Sequence, residues 1–257
     1  MKRIVCKRED INRGALILVN RDYPLKDTSF PIIPLDFDLP GETGHLGQED
    51  IYMERCAANL LCACIKSIGG EREIIPVSGW RSRQEQQNIW DSTMETDGEE
   101  FTRKYVALPD CSEHQTGLAI DLGRASRKID FIRPSFPYDG ICGQFRRQAA
   151  KYGFIERYGC GKEALTGIAH EPWHFRYVGA PHAKLMTENG LCLEEYVPFL
   201  QTGPKTCQLE EGRIAQVFHV PCPEEKADIE LPDGCGRFQI SGDNIGGFIV
   251  TVWGAPA

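Results

Sequence analysis

Two short stretches hold most of the residues that could do chemistry. The first, CSEHQTGLAIDLG over residues 111–123, sets His114 and Asp121 seven apart, with a small-residue turn and an apolar strand between them. The second, GIAHEPWHFRYVG over residues 167–179, places His170 and Glu171 just ahead of His174. Three of the chain's six histidines therefore lie beside acids. A hydrolytic zinc centre draws three protein ligands from His, Asp, Glu or Cys and keeps a fourth position open. HEPWH matches the letters of the helical H-E-x-x-H motif. That motif needs a helix, however, and Pro172 breaks a helix interior while FRYV favours a strand. On an extended strand only one of the two histidines need face an ion, with Glu171 close by. His114, Asp121 and His174, with Glu171 beside them, would satisfy a zinc site without a helix. A surface histidine and a turn aspartate would satisfy the same spacing.

The elements that must position these groups read as an α+β domain rather than a βαβ repeat. ALILVN reads as a short strand, followed by a proline-rich segment from Pro24 to Pro40. QEDIYMERCAANLLCACIKSIGG reads as one amphipathic helix, with Ile51, Ala57, Leu61, Cys64, Ile65 and Ile68 at helical spacing and Gly69-Gly70 as its stop. EIIPVSGW reads as a strand. SRQEQQNIWDSTM reads as a helix with Ser82 as N-cap and Glu85 three residues on. GLAIDLG reads as a buried strand with KIDFI as its antiparallel neighbour, GICGQFRRQAAKYGF as a helix closed by Gly153, and GIAHEPWHFRYVG as a strand. PHAKLMTENG and LEEYVPFL read as short helices. After Gly203-Pro204 come RIAQVFHV, GRFQISG and GGFIVTVWG, short strands between turn residues. The expected organisation is a main domain over 1–204 and a small β-rich appendage over 205–257.

Length and composition suit a globular chain: 257 residues, 41% hydrophobic and 26% charged. A net charge of −8 lacks the basic footprint that phosphate contacts require, so no nucleic-acid partner is expected. No apolar run approaches bilayer length, so no membrane partner is expected either. MKRIVCKREDINRG has no apolar run behind its basic residues. The eleven cysteines, odd in number and without paired C-x-x-C spacing, read as reduced thiols. With both features, the cytoplasm is the expected location.

Three motifs in order carry a family resemblance. S-x-H-x-x-G-x-A-x-D stands as Ser112, His114, Gly117, Ala119 and Asp121, E-x-W-H as Glu171, Trp173 and His174, and GWRSRQEQ lies upstream. Together they resemble the zinc D-Ala-D-Ala peptidases of the VanX/VanY type, most closely the VanXY dipeptidase/carboxypeptidases, within the superfamily that includes Hedgehog and lysostaphin-like peptidases. The resemblance covers roughly residues 14–178; the β appendage lies outside the minimal catalytic fold.

This resemblance implies an antiparallel sheet core with flanking helices and zinc held by His114, Asp121 and His174. It also implies Glu171 as general base, Arg81 facing the oxyanion, and Ser112 and Gln86 contacting substrate. Trp173 is expected as a pocket wall, His170 as a residue behind the ligands or in the core, and His45, His182 and His219 as surface or structural residues. The implied substrates are D-Ala-D-Ala and the muramyl pentapeptide precursor ending in it, with glycopeptide resistance as the consequence. Two other readings stay open: an L,D- or D,D-endopeptidase of mature peptidoglycan, and a non-catalytic zinc-stabilised module that binds wall fragments. The sequence leaves the oligomeric state open.

Overall fold

The computed structural model describes residues 2–35, 51–233 and 235–254; His45 and the end of the proline-rich segment lie outside them. The site is carried by a four-stranded antiparallel sheet. Its strands are β4 (Ile74–Ser78), β5 (Ala119–Arg124), β6 (Phe154–Tyr158) and β7 (Glu171–Tyr177), in the order β4-β5-β7-β6. One face presents Ile120, Leu122, Trp173 and Phe175 to α1 (Arg55–Ser67) and α4 (Gly140–Ala149), which add Leu61, Ile65, Cys142 and Phe145 to one core. Alternation along a strand then sends Asp121 and His174 to the opposite face.

Before this sheet, β1 (Lys2–Lys7) leads through a 3-10 turn to a short ribbon of β2 (Ile32–Pro34) and β3 (Tyr52–Glu54). Helix α2 (Arg83–Thr96) starts in the expected capping box: the Ser82 hydroxyl accepts from Glu85 N, and the Glu85 carboxylate accepts from Ser82 N. Helices α3 (Glu99–Tyr105) and α5 (Glu163–Thr166) are short, and α6 (Ala180–Asn189) and α7 (Leu193–Gln201) follow the sheet. The later strands are β8 (Lys205–Gln208), β9 (Ile214–Pro221), β10 (Lys226–Leu231), β11 (Arg237–Gly242) and β12 (Gly247–Gly254). They build a second antiparallel sheet in the order β11-β12-β9-β8, while β10 pairs with the N-terminal β1. A second core joins α6 and α7 to this sheet through Ala183, Met186, Tyr196, Val217 and Ile249.

Three expectations are corrected. The helix expected from residue 48 begins at Arg55, because Tyr52–Glu54 pairs with Ile32–Pro34 and Glu54 caps the helix by accepting from Cys56 N and Ala57 N. KIDFI is not a strand: β5 is already flanked by β4 and β7. ALILVN is buried but joins no ladder; the Ala15 and Ile17 carbonyls accept from the Arg176 guanidinium instead.

Candidate metal centre and active-site cleft

Asp121 on β5 and His174 on β7 are direct cross-strand partners, so the sheet itself fixes their spacing. His174 Nδ1 lies 2.9 Å from Asp121 Oδ1. His114 arrives from the one-turn 3-10 segment Glu113–Thr116, which ends at Gly117 in the left-handed region at φ 70. A Cβ at Gly117 would fall 2.8 Å from Glu54 N, so glycine allows both the turn and the close approach of β3. The turn returns His114 Nε2 to 3.2 Å from Asp121 Oδ2. One donor atom from each of His114, Asp121 and His174 then lies within 4.8 Å of the others, and all three residues are buried. Among the described residues this is the one His/Cys/Asp/Glu group of that kind.

The donor chemistry fits a zinc-type cation. Each imidazole has its far nitrogen turned to an acceptor, which leaves the near one to ligate. His114 Nδ1 is 2.7 Å from the Gly79 carbonyl oxygen, and His174 Nε2 stands 3.5 Å from the Glu113 carboxylate. Burial draws the His114 imidazole down to about 4, with Arg81 adding and Asp121 opposing. It is therefore neutral, as a ligand must be. Burial also disfavours charge on His174, but the carboxylates of Asp121 and Glu113 outweigh it and raise that imidazole to about 9. Asp121 is held well below the carboxylate range, its burial more than offset by the two histidines.

Glu171 is buried, with Oε2 3.8 Å from His174 Nδ1. Strict alternation would turn it to the core with Trp173 and Phe175. The β6–β7 register shifts between Glu156, opposite Phe175, and Tyr158, opposite Glu171, and Glu171 lines the cleft. Burial lifts its carboxyl to about 8, with His174 opposing and Asp121 adding. Arg81, just ahead of α2, lines the same cleft, with its Nε out of solvent and without a hydrogen-bond partner.

The cleft brings together every sequence-predicted site residue. Ser112, Gln86 and Trp173 line it with the ligand trio, and Phe131 and Ile132 form an exposed apolar rim. Gln86 is fully buried; its amide nitrogen donates to the Ala107 carbonyl, while its Oε1 has no partner. The other described histidines lie apart from the ligand trio. His170 contacts the Tyr138 hydroxyl at 2.8 Å, His182 lies between Tyr196 and Thr251, and His219 pairs with Asp243.

Several site residues escaped the sequence reading. Glu113 lies beneath His174, Arg157 and Arg176 hold Glu113, and the Tyr158 ring packs 4.8 Å from the His174 ring. The available signal was an arginine directly before a tyrosine in each of two strands, FIERY and WHFRY.

Comparison with known proteins follows the same lines. The profile of the VanY family, described as D-alanyl-D-alanine carboxypeptidase, matches residues 51–180. The bifunctional D-Ala-D-Ala dipeptidase and carboxypeptidase VanXYC of Enterococcus gallinarum is 37% identical over 190 residues, 73% of this chain and 95% of that protein. The chain belongs to the VanY family. Among solved structures of similar proteins, the vancomycin-resistance D,D-dipeptidase VanXYg, in complex with a D-Ala-D-Ala phosphinate analogue, superposes with a TM-score of 0.90. The two are 47% identical, with 98% of this chain and 99% of that one covered. A point mutant of a vancomycin-resistance D,D-pentapeptidase VanY from a VanB-type resistance cassette, in complex with Zn(II), matches at a TM-score of 0.56 and 27% identity over 71% of this chain and 98% of its own. This VanY-family chain has the α+β architecture expected of it, an antiparallel sheet with flanking helices. Among its described residues no helix is long and apolar enough to cross a membrane.

Proposed function

We propose that this chain is a zinc-dependent D,D-dipeptidase and D,D-carboxypeptidase. It would hydrolyse D-Ala-D-Ala and the D-Ala terminus of the UDP-MurNAc-pentapeptide, and so confer glycopeptide resistance. The observation that carries the reading is the convergence of Arg81, His114, Asp121, Glu171 and His174 on one cleft. The likeness to a bifunctional relative over 95% of that relative's length supports the substrate class. A pure binding module has no need of a buried carboxyl and an arginine poised beside its metal ligands.

His114 through Nε2, Asp121 through a carboxylate oxygen and His174 through Nδ1 would hold zinc. When bound, the ion supplies Lewis-acid polarisation of the scissile carbonyl and makes water a nucleophile near neutral pH. Glu171 takes the proton of the attacking water and delivers it to the leaving amine. Its elevated affinity for a proton suits that second task. Arg81 presents donors to the developing oxyanion, as a permanently charged and preorganised fork. Ser112 and the free Gln86 Oε1 orient the peptide, and Trp173 closes the cleft wall.

Residues 1–204 form the catalytic unit in this reading, and 205–257 an appended β unit to which β1 adds a strand. Eleven cysteines, two of them exposed, suit a reducing cytoplasm. The test is release of D-alanine from D-Ala-D-Ala and from UDP-MurNAc-pentapeptide by one preparation. Chelator-sensitive turnover of both is expected. Turnover of neither by zinc-loaded protein, with activity on intact sacculi, would replace this reading with the endopeptidase.

A further inference from the structure

The zinc reading leaves one buried group without a role. Glu113 is 1% exposed, immediately before a ligand and directly beneath another. Its Oε1 accepts from Arg157 Nε at 2.8 Å and lies 2.9 Å from Arg176 Nη1. Its Oε2 has no hydrogen-bond partner and faces His174 Nε2 at 3.5 Å, a nitrogen that likewise has none. Both arginines are buried and fixed from behind. Arg157 makes a two-pronged contact to Glu194 in the first turn of α7, at 2.8 and 2.6 Å, and Arg176 donates to the Ala15 and Ile17 carbonyls. A buried carboxylate with two arginines on one oxygen and an imidazole before the other is costly unless all three contacts are used.

We infer that Glu113 is a positioning residue. It holds the proton of His174 on Nε2, so that Nδ1 is the nitrogen presented to zinc, and the chain Glu194–Arg157–Glu113 ties that choice to the seating of α7. The inference rests on the zinc reading above. A neutral imidazole carries its proton on one nitrogen only, and the carboxylate can only accept. Nε2 must therefore donate, and the lone pair falls on Nδ1, the nitrogen 2.9 Å from Asp121.

Glu113→Gln separates this role from packing, because it keeps the shape and reverses the polarity. The two arginines can only donate, so they retain the amide oxygen on their side and turn the NH2 toward His174. Nε2 must then accept, the proton moves to Nδ1, and the ligating lone pair is lost. Zinc affinity is expected to fall tenfold to a hundredfold, measured by competition with a chromophoric chelator on variant protein whose circular dichroism matches wild type. Imidazole 15N–1H correlation spectra of the zinc-free variant should show no proton on His174 Nε2, where wild type carries one.

If the variant fails to fold, the same spectra on zinc-loaded wild-type protein decide. Zinc on His174 Nδ1 with a protonated Nε2 supports the inference, and zinc on Nε2 overturns it. Zinc affinity of the variant within twofold of wild type also overturns it, while leaving the zinc reading intact. Wild-type protein that takes up no zinc would sink the zinc reading and this inference with it.

Discussion

Replacing Glu171 with glutamine should abolish most activity and at the same time stabilise the metal-free protein. Glutamine keeps the volume of the side chain but cannot take a proton from water or return one to the leaving amine. A positioned acid–base group contributes about 10²–10⁴ in rate, or roughly 3–5.5 kcal/mol of barrier. That is the loss expected in kcat. The ligand trio is untouched, so bound zinc, measured by elemental analysis, should remain at one per chain. Stability should move the other way. A carboxyl whose proton affinity is lifted from 4.5 to about 8 by burial is disfavoured when ionised, by up to about 5 kcal/mol. Its contribution to stability is present below pH 4.5 and is lost as pH rises toward 8. The amide escapes that loss, so chelated Glu171→Gln protein should unfold at a higher denaturant midpoint than chelated wild type at pH 8, and at a similar one at pH 5. Turnover within tenfold of wild type at equal zinc content would refute the general-base role. A variant less stable than wild type at pH 8 would refute the account of its burial.

Arg81→Met should cost about 3 kcal/mol of barrier, read in kcat/KM, with zinc content unchanged. His182, drawn down to about 3 by burial between Tyr196 and Thr251, takes up a proton on unfolding between pH 6.5 and 3. It should therefore make wild type lose about 1.4 kcal/mol per pH unit across that window. Denaturation of His182→Gln should show a slope shallower by that amount, and an unchanged slope would refute this. Zinc binding at pH 7 should release about two protons, one from His174 and one from Glu171, counted calorimetrically in buffers of differing ionisation enthalpy. Glu171→Gln should release about one.

The site was more legible than the scaffold around it. Strand alternation from Ile120 to Leu122 already implied that Asp121 leaves the core, and the GLAIDLG and HFRY strands needed only to be neighbours for Asp121 to meet His174. The Ser82–Glu85 capping box likewise uses local chemistry that needs no tertiary context. What the sequence hid depended on partners far away. Periodicity could not separate Tyr52–Glu54 from the helix that follows, because pairing with Ile32–Pro34 decides that boundary. ALILVN has the composition of a strand, but its carbonyls are taken by an arginine more than 150 residues on. Lys2–Lys7 becomes a strand only through Lys226–Leu231, whose alternating burial is visible in KADIEL once a partner is known. Glu113 was hidden for a related reason: its neighbour His114 drew the eye, while its partners come from β6 and β7.

The charges around the cleft explain why these pieces belong together. Near neutral pH, Asp121, Glu113 and Glu194 are ionised and are faced by Arg81, Arg157 and Arg176. Two groups there hold protons unusually tightly: His174, 2.9 Å from Asp121 Oδ1, and Glu171, 3.8 Å from His174 Nδ1. A divalent cation held by His114, Asp121 and His174 brings two positive charges to the point where those protons lie. Exchanging two protons for one such ion leaves the buried cluster's net charge unchanged, so loading need not disturb the arginines beneath. The same exchange leaves Glu171 ionised beside the cation, in the state a general base requires. The burial that penalises its carboxylate ensures that the proton, once taken, is held long enough to be passed to the leaving amine.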